Sequence, residues 1–448
     1  MLMLIKNGRV IDPGNLDGIV DILIKDGKIA EIKEQRTEVR GQGSEVGGQR
    51  SEVGGQRSEV RVIDASGKIV TPGLIDMHVH LREPGHEYKE TIESGCLSAA
   101  YGGFTAICPM PNTTPVNDNG QVTEYILKKA GIADMVRVYP VGAISKGLNG
   151  KSLCEYAELK EAGAIALSDD GNPVSDSQLM RRAMEYAKGF DLPIISHCED
   201  LNLAANGVVN EGAVATRMGL AGIPNAAESI MVMRDIAICE LTGSRLHIAH
   251  VSTKESVQAI RNAKKRGVKV TAETAPHYFT LTEEAIKGYN TNAKMNPPLR
   301  SSQDREAVLE GLADGTIDVI ATDHAPHSYI EKEVEFDQAA NGIIGLETSV
   351  SLSLKLVQNS VISLTDLVEK MSTNPAKILG LNIGISVGAP ADITIIDPDF
   401  SYKIDSDSFQ SLSRNTPFNG WDMKGKAILT MVGGKILFDA NATLNLEP

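Results

Sequence analysis

Between about residue 72 and residue 380, the sequence alternates short apolar segments with amphipathic segments of helical length. Eight apolar segments have the length and composition of buried parallel strands: GLIDMHVH, FTAICPM, VRVYPVGA, AIALSDD, PIISHCE, LHIAHVS, VKVTAET and DVIATDH. Helix-like stretches such as QLMRRAMEYAKGF lie between them. Eight successive β-α units favour a closed barrel, because an open doubly wound sheet usually has about six strands. We therefore predict an α/β fold with a (β/α)8 TIM barrel over residues 72–380.

Both ends of the chain have a different, strand-rich pattern. Alternating apolar residues occur in MLIKNGRVI and DILIKDGKIAEI near the start, and in ADITIIDP and GKAILTMVGGKILF near the end. Three dipeptides have the composition of tight hairpin turns: Asn7-Gly8, Asp26-Gly27 and Gly433-Gly434. We predict one small β-sandwich domain assembled from residues 1–71 and 381–448.

A short internal repeat interrupts the N-terminal part. The heptapeptide SEVGGQR occurs at residues 44–50 and 51–57, and a truncated SEV copy follows. A coiled coil needs two apolar positions per heptad, whereas each copy has one Val beside two glycines. We predict a flexible, low-complexity insertion at about residues 40–60. Deletion of residues 40–58 is expected to leave the function intact, and a folded but inactive deletion variant would refute this.

The charge balance limits the classes of partner. The chain carries 58 acidic and 44 basic side chains, which gives a formal net charge of −14. This argues against a nucleic-acid-binding protein, because binding to the phosphate backbone needs clustered positive charge. A local basic pocket for a small anion remains compatible with the composition, since net charge does not describe a single site.

Cysteine usage and hydropathy bear on the compartment. The chain has an odd number of cysteines and no CxxC pair: Cys96, Cys108, Cys154, Cys198 and Cys239. This pattern predicts buried thiols in a reducing compartment. The apolar start MLMLI is too short for a signal peptide, and no apolar run approaches the ~20 residues that span a membrane. We expect a cytoplasmic protein without a membrane segment.

Histidine and aspartate residues fall at the carboxyl ends of five predicted strands. The first strand ends in His78 and His80, which share one face because side chains alternate along a strand. The other strand ends supply Asp169 and Asp170, His197, His250, and Asp323. A barrel brings these ends around one mouth, where barrel enzymes place their active sites. Imidazole and carboxylate ligands without thiolate suit a catalytic divalent metal such as zinc, with two ions sharing a carboxylate; spacing does not choose between the two adjacent aspartates.

Several neighbouring residues have an ordinary structural interpretation. Cys198 and His324 each directly follow a candidate ligand, so strand alternation points them away from the mouth. His247 lies an odd number of positions before His250 and is expected to face outward as a packing residue. His86 lies in a loop without a local partner. His277 follows the seventh strand and is either a packing residue or a group that supports the ligands.

A series of motifs runs through the whole predicted barrel: GLIDMHVHLREPG, PMPNTTP, SDDG, SHCED, AHVSTKES, KMNPPLR and ATDHAPH, with RNTPFNG near the end. In this order they resemble the signatures of the bacterial type I dihydroorotases, and only the heptapeptide insertion looks foreign. The resemblance implies zinc, two ions per chain with one as the alternative. It implies that His78, His80 and Asp323 hold one ion, that His197 and His250 hold the second, and that Asp170 bridges them.

The same resemblance implies a substrate pocket. The residues implied to contact the substrate are His80, Arg82, Asn112, Asn296, His327, Asn341 and Gly342. Arg82 is suited to a carboxylate, because its planar guanidinium can form two parallel hydrogen bonds. The alternative for Arg82 is a surface cation paired with Glu83.

The resemblance further implies the reversible hydrolysis of dihydroorotate to N-carbamoyl-L-aspartate in pyrimidine biosynthesis. Zinc lowers the pKa of bound water to about 7, which supplies the nucleophile. Asp323 is expected to accept the proton as the general base and to deliver it to the departing nitrogen as the general acid. The implied assemblies are a homodimer or a complex with aspartate transcarbamoylase.

Two alternatives remain open beside this function. One is a cyclic amidohydrolase of the hydantoinase, dihydropyrimidinase or allantoinase type. Those relatives bridge their metals with a carbamylated lysine, and no lysine lies near the SDDG strand end of this sequence. The other is a non-catalytic dihydroorotase-like scaffold of aspartate transcarbamoylase, which would have lost metal ligands that are all present here.

Overall fold

The computed structural model describes residues 2–34 and 60–441. The strands are β1 (Leu2–Asp12), β2 (Leu16–Lys25), β3 (Lys28–Glu34), β4 (Arg61–Asp64), β5 (Ile69–Pro72), β6 (Leu74–Val79), β7 (Phe104–Pro109), β8 (Arg137–Val138), β9 (Val141–Ala143), β10 (Ala166–Ser168), β11 (Ile194–Ser196), β12 (Val209–Asn210), β13 (Gly222–Ile223), β14 (Leu246–Ile248), β15 (Val270–Thr274), β16 (Val319–Ile320), β17 (Ile393–Lys403), β18 (Asp422–Val432) and β19 (Lys435–Asp439). Residues 40–59 of the predicted insertion lie outside the described residues.

The α-helices lie mainly between the strands of the central region. They are α1 (Ile92–Gly102), α2 (Gly120–Ala133), α3 (Tyr156–Ala162), α4 (Ser177–Lys188), α5 (Leu201–Ala204), α6 (Ala213–Met218), α7 (Asn225–Thr242), α8 (Lys254–Lys265), α9 (Pro276–Thr280), α10 (Ser302–Ala313), α11 (Tyr329–Lys332), α12 (Ser349–Gln358), α13 (Leu364–Val368) and α14 (Asn374–Leu379). No helix in residues 2–34 and 60–441 is both long enough and apolar enough to cross a membrane. All five cysteines are buried and free.

Strands from both ends of the chain form one sheet. Its order is β19-β18-β17-β5-β1-β2-β3, and β4 also pairs with β1. The turn at Asp26-Gly27 has φ angles of 50° and 80°, and the turn at Gly433-Gly434 has φ angles of 54° and 75°. Two consecutive positive φ angles are typical of type I′ hairpin turns, as the sequence predicts. The two layers of a β-sandwich stay a prediction, since these strands belong to a single hydrogen-bonded sheet.

The predicted turn at Asn7-Gly8 is wrong. Both residues lie inside β1, where the pairing with β2 shifts between Ile5 and Gly8. Asn7 has a φ of 62°, a left-handed conformation that asparagine tolerates and that β-bulges use. A Cβ on Gly8 would lie 2.5 Å from the Val70 side chain. The dipeptide therefore serves a bulge and a close approach of β5, not a reversal of the chain.

Beside the short parallel pair β12-β13, the described part of the central region contains two parallel sheets. Their orders are β16-β15-β14-β11-β10-β9 and β6-β7-β8, and each of the eight predicted segments contributes to them. The third predicted segment is divided at Pro140, which has no N–H for a ladder, so β8 pairs with β7 and β9 pairs with β10. An isolated parallel bridge joins Val79 to His324. The α/β class with parallel sheets is confirmed, and closure of the strands into a barrel stays a prediction.

Helix starts fix the loops that follow the strands. The Thr253 side chain accepts an N–H of the first turn of α8, and the Asp176 side chain does the same for α4. Such N-caps stabilise a helix start by about 1 kcal/mol and set the point where the preceding loop ends. Strand side chains such as Leu167, Ile194 and Leu246 pack into the largest apolar cluster with the helices. The carboxyl ends of the strands are therefore fixed by the apolar core before them and by the capped helix starts after them.

Residues 404–421 form an excursion between β17 and β18. This excursion leaves the terminal sheet and packs against the loops at the carboxyl ends of the parallel strands. Ile404 and Phe418 are buried there in a cluster that contains Tyr278 and Phe336. The terminal sheet and the central region are thus interlocked, and the division into residues 1–71, 72–380 and 381–448 stays a prediction.

Candidate active site

A cavity of about 320 Å³ opens at the carboxyl ends of the parallel strands. Its lining includes most of the residues that the sequence predicts for the site: His80, Arg82, Asn112, Asp170, His197, His250, Asn296, Asp323, His327 and Asn341. His78 lies behind this lining and is fully buried. Side chains that are far apart in the sequence therefore converge on one volume.

Strand β6 delivers two imidazoles to the same place. His78 Nε2 lies 3.3 Å from Asp170 Oδ1 and 3.5 Å from Asp323 Oδ1. His80 Nε2 lies 3.1 Å from Asp323 Oδ1 and 3.5 Å from Asp170 Oδ2. The two-residue spacing thus sets both rings against the same pair of carboxylates, as strand alternation predicts.

Asp170 lies at the centre of the polar cluster. Its Oδ1 is 3.5 Å from both His197 Nδ1 and His250 Nε2. Asp169 turns away and its Oδ1 accepts the backbone N–H of Ser145 at 3.0 Å. Spacing alone leaves the choice between the two aspartates open, and in the structure the side chain of Asp170 is the one that reaches the histidines.

The donor atoms form two groups that could each hold a metal ion. One group is His78, His80 and Asp170, and the other is Asp170, His197 and His250. His78 Nε2 and Asp170 Oδ1 are buried and make no hydrogen bond within the described part of the chain. Leaving such atoms without partners costs about 1–3 kcal/mol each, and a cation between them would satisfy both. The residues present therefore fit a divalent metal centre.

The imidazoles keep both carboxylates ionised. Burial alone would raise the pKa of Asp170, but the charge of His78 and the nearby rings of His197 and His250 hold this pKa well below its usual range. Burial acts in the same way on Asp323, and the neighbouring imidazoles again lower its pKa. Ionised carboxylates are what metal ligation or proton acceptance requires.

Three site residues have strained backbone conformations. Arg82, His250 and Asp323 have φ angles of 62°, 32° and 48°. Non-glycine residues rarely adopt this left-handed region, which costs about 1–3 kcal/mol and is concentrated at functional sites. In each case the residue follows the end of a strand, so the strain turns a side chain into the cavity.

The predicted outward orientation of His247 is wrong. Its ring is fully buried, and its Nε2 lies 3.1 Å from Glu273 Oε2, directly behind His78. Strand β14 ends at Ile248, so the chain has left β geometry before His250. Strand alternation therefore does not relate the two histidines.

The other neighbouring residues lie outside the metal-binding groups. Cys198 points toward α7 and His324 toward Glu90, so both face away from the cavity as predicted. His86 finds a partner from a different loop, the Thr114 hydroxyl. His277 is buried near the carboxylates, and its Nε2 makes no hydrogen bond within the described residues.

A half-buried cation lines the same cavity. Arg82 Nη2 lies 3.3 Å from His327 Nε2, and Arg82 Nε donates to the Pro326 carbonyl at 3.1 Å. Burial lowers the pKa of Arg82 to about 10, which leaves the guanidinium charged at neutral pH. The alternative of a surface pair with Glu83 is wrong, because Glu83 instead pairs with Lys129 at 2.9 Å.

Two asparagines connect the cavity wall to the histidines. Asn112 Oδ1 lies 2.9 Å from His80 Nδ1. Asn296 Nδ2 donates to Glu199 Oε2 at 3.1 Å, while Asn296 Oδ1 is buried and makes no hydrogen bond within the described residues. Both side chains therefore combine exposure to the cavity with a fixed orientation.

The loop after α11 and the C-terminal excursion meet at the cavity. Asn341 borders the cavity, whereas the Gly342 N–H donates to a backbone carbonyl behind it. The Asn415 side chain donates to the carbonyls of Ala325 and Gly342 at 2.9 and 3.0 Å, and its Oδ1 accepts the His327 N–H at 3.1 Å. Asn415, which sequence reasoning missed although it lies in the RNTPFNG motif, fixes the loops that carry two cavity residues.

Sequence reasoning also missed two glutamates behind the histidines. Glu273 Oε1 lies 2.6 Å from His78 Nδ1, and Glu199 Oε2 lies 3.3 Å from His197 Nε2. Both are buried. The available signal was a carboxylate within an apolar strand segment, since a buried carboxylate needs a partner.

A parallel α/β fold with imidazoles and carboxylates gathered at the strand ends is typical of metal-dependent hydrolases. The model of the dihydro-orotase-like family matches residues 67–256. The dihydroorotase of Desulforapulum autotrophicum is 59% identical over 438 residues, which cover 98% of this chain and 99% of that protein. The dihydroorotase of Syntrophus aciditrophicus is 56% identical over 440 residues, with 98% and 99% covered.

A solved structure shares the whole architecture. The L-hydantoinase (dihydropyrimidinase) of Arthrobacter aurescens aligns with a TM-score of 0.84 at 28% identity, over 98% of this chain and 96% of that one. The enzyme class is therefore that of the cyclic amidohydrolases. Within this class, the chain belongs to the dihydroorotase family.

Proposed function

We propose that the protein catalyses the reversible hydrolysis of dihydroorotate to N-carbamoyl-L-aspartate, a step of de novo pyrimidine (UMP) biosynthesis. The observation that carries this proposal is the cavity that joins two overlapping metal-binding groups to the half-buried Arg82. Dihydroorotate has a cyclic amide to be opened and a carboxylate to be bound. The two parts of the cavity match these two demands.

The metal is proposed to be Zn²⁺, with two ions per chain and a single ion as the alternative. His78, His80 and Asp323 would hold one ion, His197 and His250 the other, and Asp170 would bridge them. Bound zinc lowers the pKa of water to about 7 and polarises the amide carbonyl. The support is the donor set and the unpaired atoms at its centre.

Asp323 is proposed as the group that moves the proton. It accepts the proton of the attacking water and delivers it to the ring nitrogen that leaves, and ring closure uses the same steps in reverse. The low pKa of Asp323 keeps its carboxylate ionised and able to accept a proton. The contact between Asp323 Oδ1 and His80 Nε2 at 3.1 Å fixes the orientation of the carboxylate.

The remaining cavity residues are proposed to bind the substrate. Arg82 would hold the carboxylate with two hydrogen bonds. Burial and the charge of Arg82 lower the pKa of His327 to about 2, so this ring is neutral and can hydrogen-bond to the ring of the substrate. The other contacts would come from His80, Asn112, Asn296, Asn341 and Gly342.

A panel of cyclic amides tests the substrate. The zinc-loaded protein is incubated with dihydroorotate, dihydrouracil, hydantoin and allantoin, and ring opening is measured. Of these four rings only dihydroorotate carries a carboxylate, so the Arg82 guanidinium in the cavity favours dihydroorotate over the hydantoinase-type substrates. Preference for any of the other three would contradict the proposal. Absence of turnover, also with aspartate transcarbamoylase present, would support the scaffold alternative.

The finer architecture and assembly are proposed along with the reaction. The parallel strands would close into a (β/α)8 barrel over residues 72–380, with a β-sandwich domain built from residues 1–71 and 381–448. The protein would act in the cytoplasm, as a homodimer or in a complex with aspartate transcarbamoylase. Light scattering of the purified protein, alone and mixed with the transcarbamoylase, distinguishes the two assemblies.

A further inference from the structure

A buried chain of polar side chains continues from His78 away from the cavity. Glu273 Oε1 lies 2.6 Å from His78 Nδ1, and Glu273 Oε2 lies 3.1 Å from His247 Nε2. His247 Nδ1 in turn lies 2.8 Å from Thr271 Oγ1. His78, His247 and Glu273 are at most 1% exposed. We name His78, Glu273, His247 and Thr271 the inner chain.

The hydrogen positions in the inner chain follow from the chemistry of its members. A carboxylate only accepts hydrogen bonds, so the facing nitrogens of His78 and His247 must carry hydrogen. The Nε2 of His78 is then the atom left to face Asp170 and the metal-binding group. The Nδ1 of His247 faces the Thr271 hydroxyl, which also lies 3.4 Å from the Leu246 carbonyl.

The backbone supports this arrangement. His247 and Thr271 are paired across the parallel strands β14 and β15, and Glu273 lies on the same side of β15 as Thr271 because side chains alternate. Three members of the inner chain are therefore fixed by two neighbouring strands. The orientation of His78 is built into the sheet and does not depend on a loop.

His78 at the end of β6 and His80 directly after this strand are held differently. The Nδ1 of His80 faces the neutral amide of Asn112 at 2.9 Å, at the wall of the cavity. The Nδ1 of His78 faces a buried charge that a second imidazole holds in place. A carboxylate behind a metal-binding imidazole fixes the ring and makes it a stronger donor, which an amide does to a smaller degree.

We propose that Glu273 and His247 are positioning residues that set the tautomer, the orientation and the donor strength of His78 for the metal. This inference rests on the proposed metal centre. Packing alone does not require the pair, because an apolar side chain of similar volume would fill the place without the cost of burying a charge.

The first test is a Co²⁺ titration of the metal-free full-length protein, followed by the visible spectrum of the bound ion. Glu273→Gln is expected to weaken binding about 10–100-fold and to change the spectrum, because the ring loses its charged partner. Glu347→Gln is the matched control. Glu347 is also largely buried but hydrogen-bonds to Ser98 and to backbone N–H groups, so this variant is expected to bind Co²⁺ as the wild type does.

The second test separates the hydrogen bond of His247 from its volume. His247→Gln keeps an N–H donor near the place of Nε2, whereas His247→Leu keeps volume without a donor. The Leu variant is expected to bind Co²⁺ about tenfold more weakly, and the Gln variant to stay within about threefold of the wild type. In the zinc-loaded protein, the low-field proton resonance of the His78 Nδ1–H is expected to shift in the Leu variant.

The outcomes distinguish the inference from the proposed function. If the wild type does not bind Co²⁺, or if His78→Ala leaves binding unchanged, the proposed metal centre is wrong. If His78→Ala weakens binding while Glu273→Gln and His247→Leu do not, the positioning role is wrong and the metal centre stands. Should Glu273→Gln fail to fold, the two His247 variants decide, and equal affinities of both with the wild type would overturn the inference.

Discussion

The parallel strands have a cavity at each end. The cavity at their amino ends has about 430 Å³ and is lined by residues that include Arg245, Lys269, Asp318 and Lys377. The cavity at their carboxyl ends is smaller, about 320 Å³. At the amino ends, Asp318 pairs with Lys264 at 2.6 Å and Arg245 with Asp191 at 3.0 Å. At the carboxyl ends lie buried atoms that make no hydrogen bond within the described residues.

The difference lies in the unpaired atoms, not in the volume. His78 Nε2, Asp170 Oδ1, Asn296 Oδ1 and His327 Nδ1 all lie at the carboxyl ends, buried and without a hydrogen bond within the described residues. Each unpaired buried atom lowers the stability of the folded protein, and a hydrogen bond or coordination bond to a bound ion or substrate would offset this loss. At the amino ends, Asp318 and Arg245 already have ion-pair partners, so these two groups gain less from a ligand, although the cavity is larger.

Metal removal is expected to give the largest effect. Dialysis against a chelator should reduce ring opening to background and should also lower the melting temperature, because a ligand present at 100 times its dissociation constant stabilises the folded state by about 2.7 kcal/mol. Activity assays and calorimetry before and after addition of Zn²⁺ measure both. Full activity in protein that is metal-free by elemental analysis would contradict the proposed centre.

Replacement of Asp323 is expected to cause the second largest loss of activity. Asp323→Asn should lower kcat by about 10²–10⁴-fold, because the amide cannot take up the proton, while bound metal is largely retained. Asp318→Asn is the control at the opposite end of the same segment and should stay within about twofold of the wild-type kcat. Equal losses in the two variants would remove Asp323 from the chemistry.

Replacement of Arg82 should act on one substrate. Arg82→Met is expected to lower kcat/KM for dihydroorotate by about 10–100-fold, the value of a hydrogen-bonded charge, and to leave any residual turnover of dihydrouracil unchanged. Steady-state kinetics with both rings measure the difference. A parallel loss for both substrates would mean that Arg82 supports the structure of the cavity and does not bind a carboxylate.

The smallest effect is expected at the amino ends. Lys377→Ala removes an exposed cation from the larger cavity and should change kcat/KM by less than about twofold. Measurement under the conditions of the Arg82 experiment makes the comparison direct. A tenfold change in kcat/KM would show that the cavity at the amino ends contributes to activity, which would contradict the proposed difference between the two cavities.

Much of this arrangement could be predicted because strand ends leave a strong signal. An apolar run that stops at a histidine or an aspartate gives both the strand and the place where its side chain emerges, as at His78, His197 and Asp323. The alternation rule worked for His80, which lies next to the end of its strand. It did not work for His247 and His250, because β14 ends between them.

The supporting residues were harder to predict, because they depend on contacts between distant segments. Glu273 and His78 are far apart in sequence, and neither position alone indicates the contact at 2.6 Å. Asn7-Gly8 has the composition of a turn, and its use in a bulge depends on the approach of Val70 from another strand. Local patterns therefore predict the ligands, and three-dimensional packing decides what holds them.

The excursion at residues 404–421 has a consequence for synthesis of the protein. All candidate metal ligands have been translated once Asp323 leaves the ribosome, but Asn415, which fixes the loops of His327 and Gly342, follows much later. The terminal sheet likewise needs β17, which pairs with β5, and β18, which pairs with β17. A nascent chain is therefore expected to be inactive until its synthesis is almost complete. A product truncated before Asn415 would contain the candidate metal ligands but not a complete cavity.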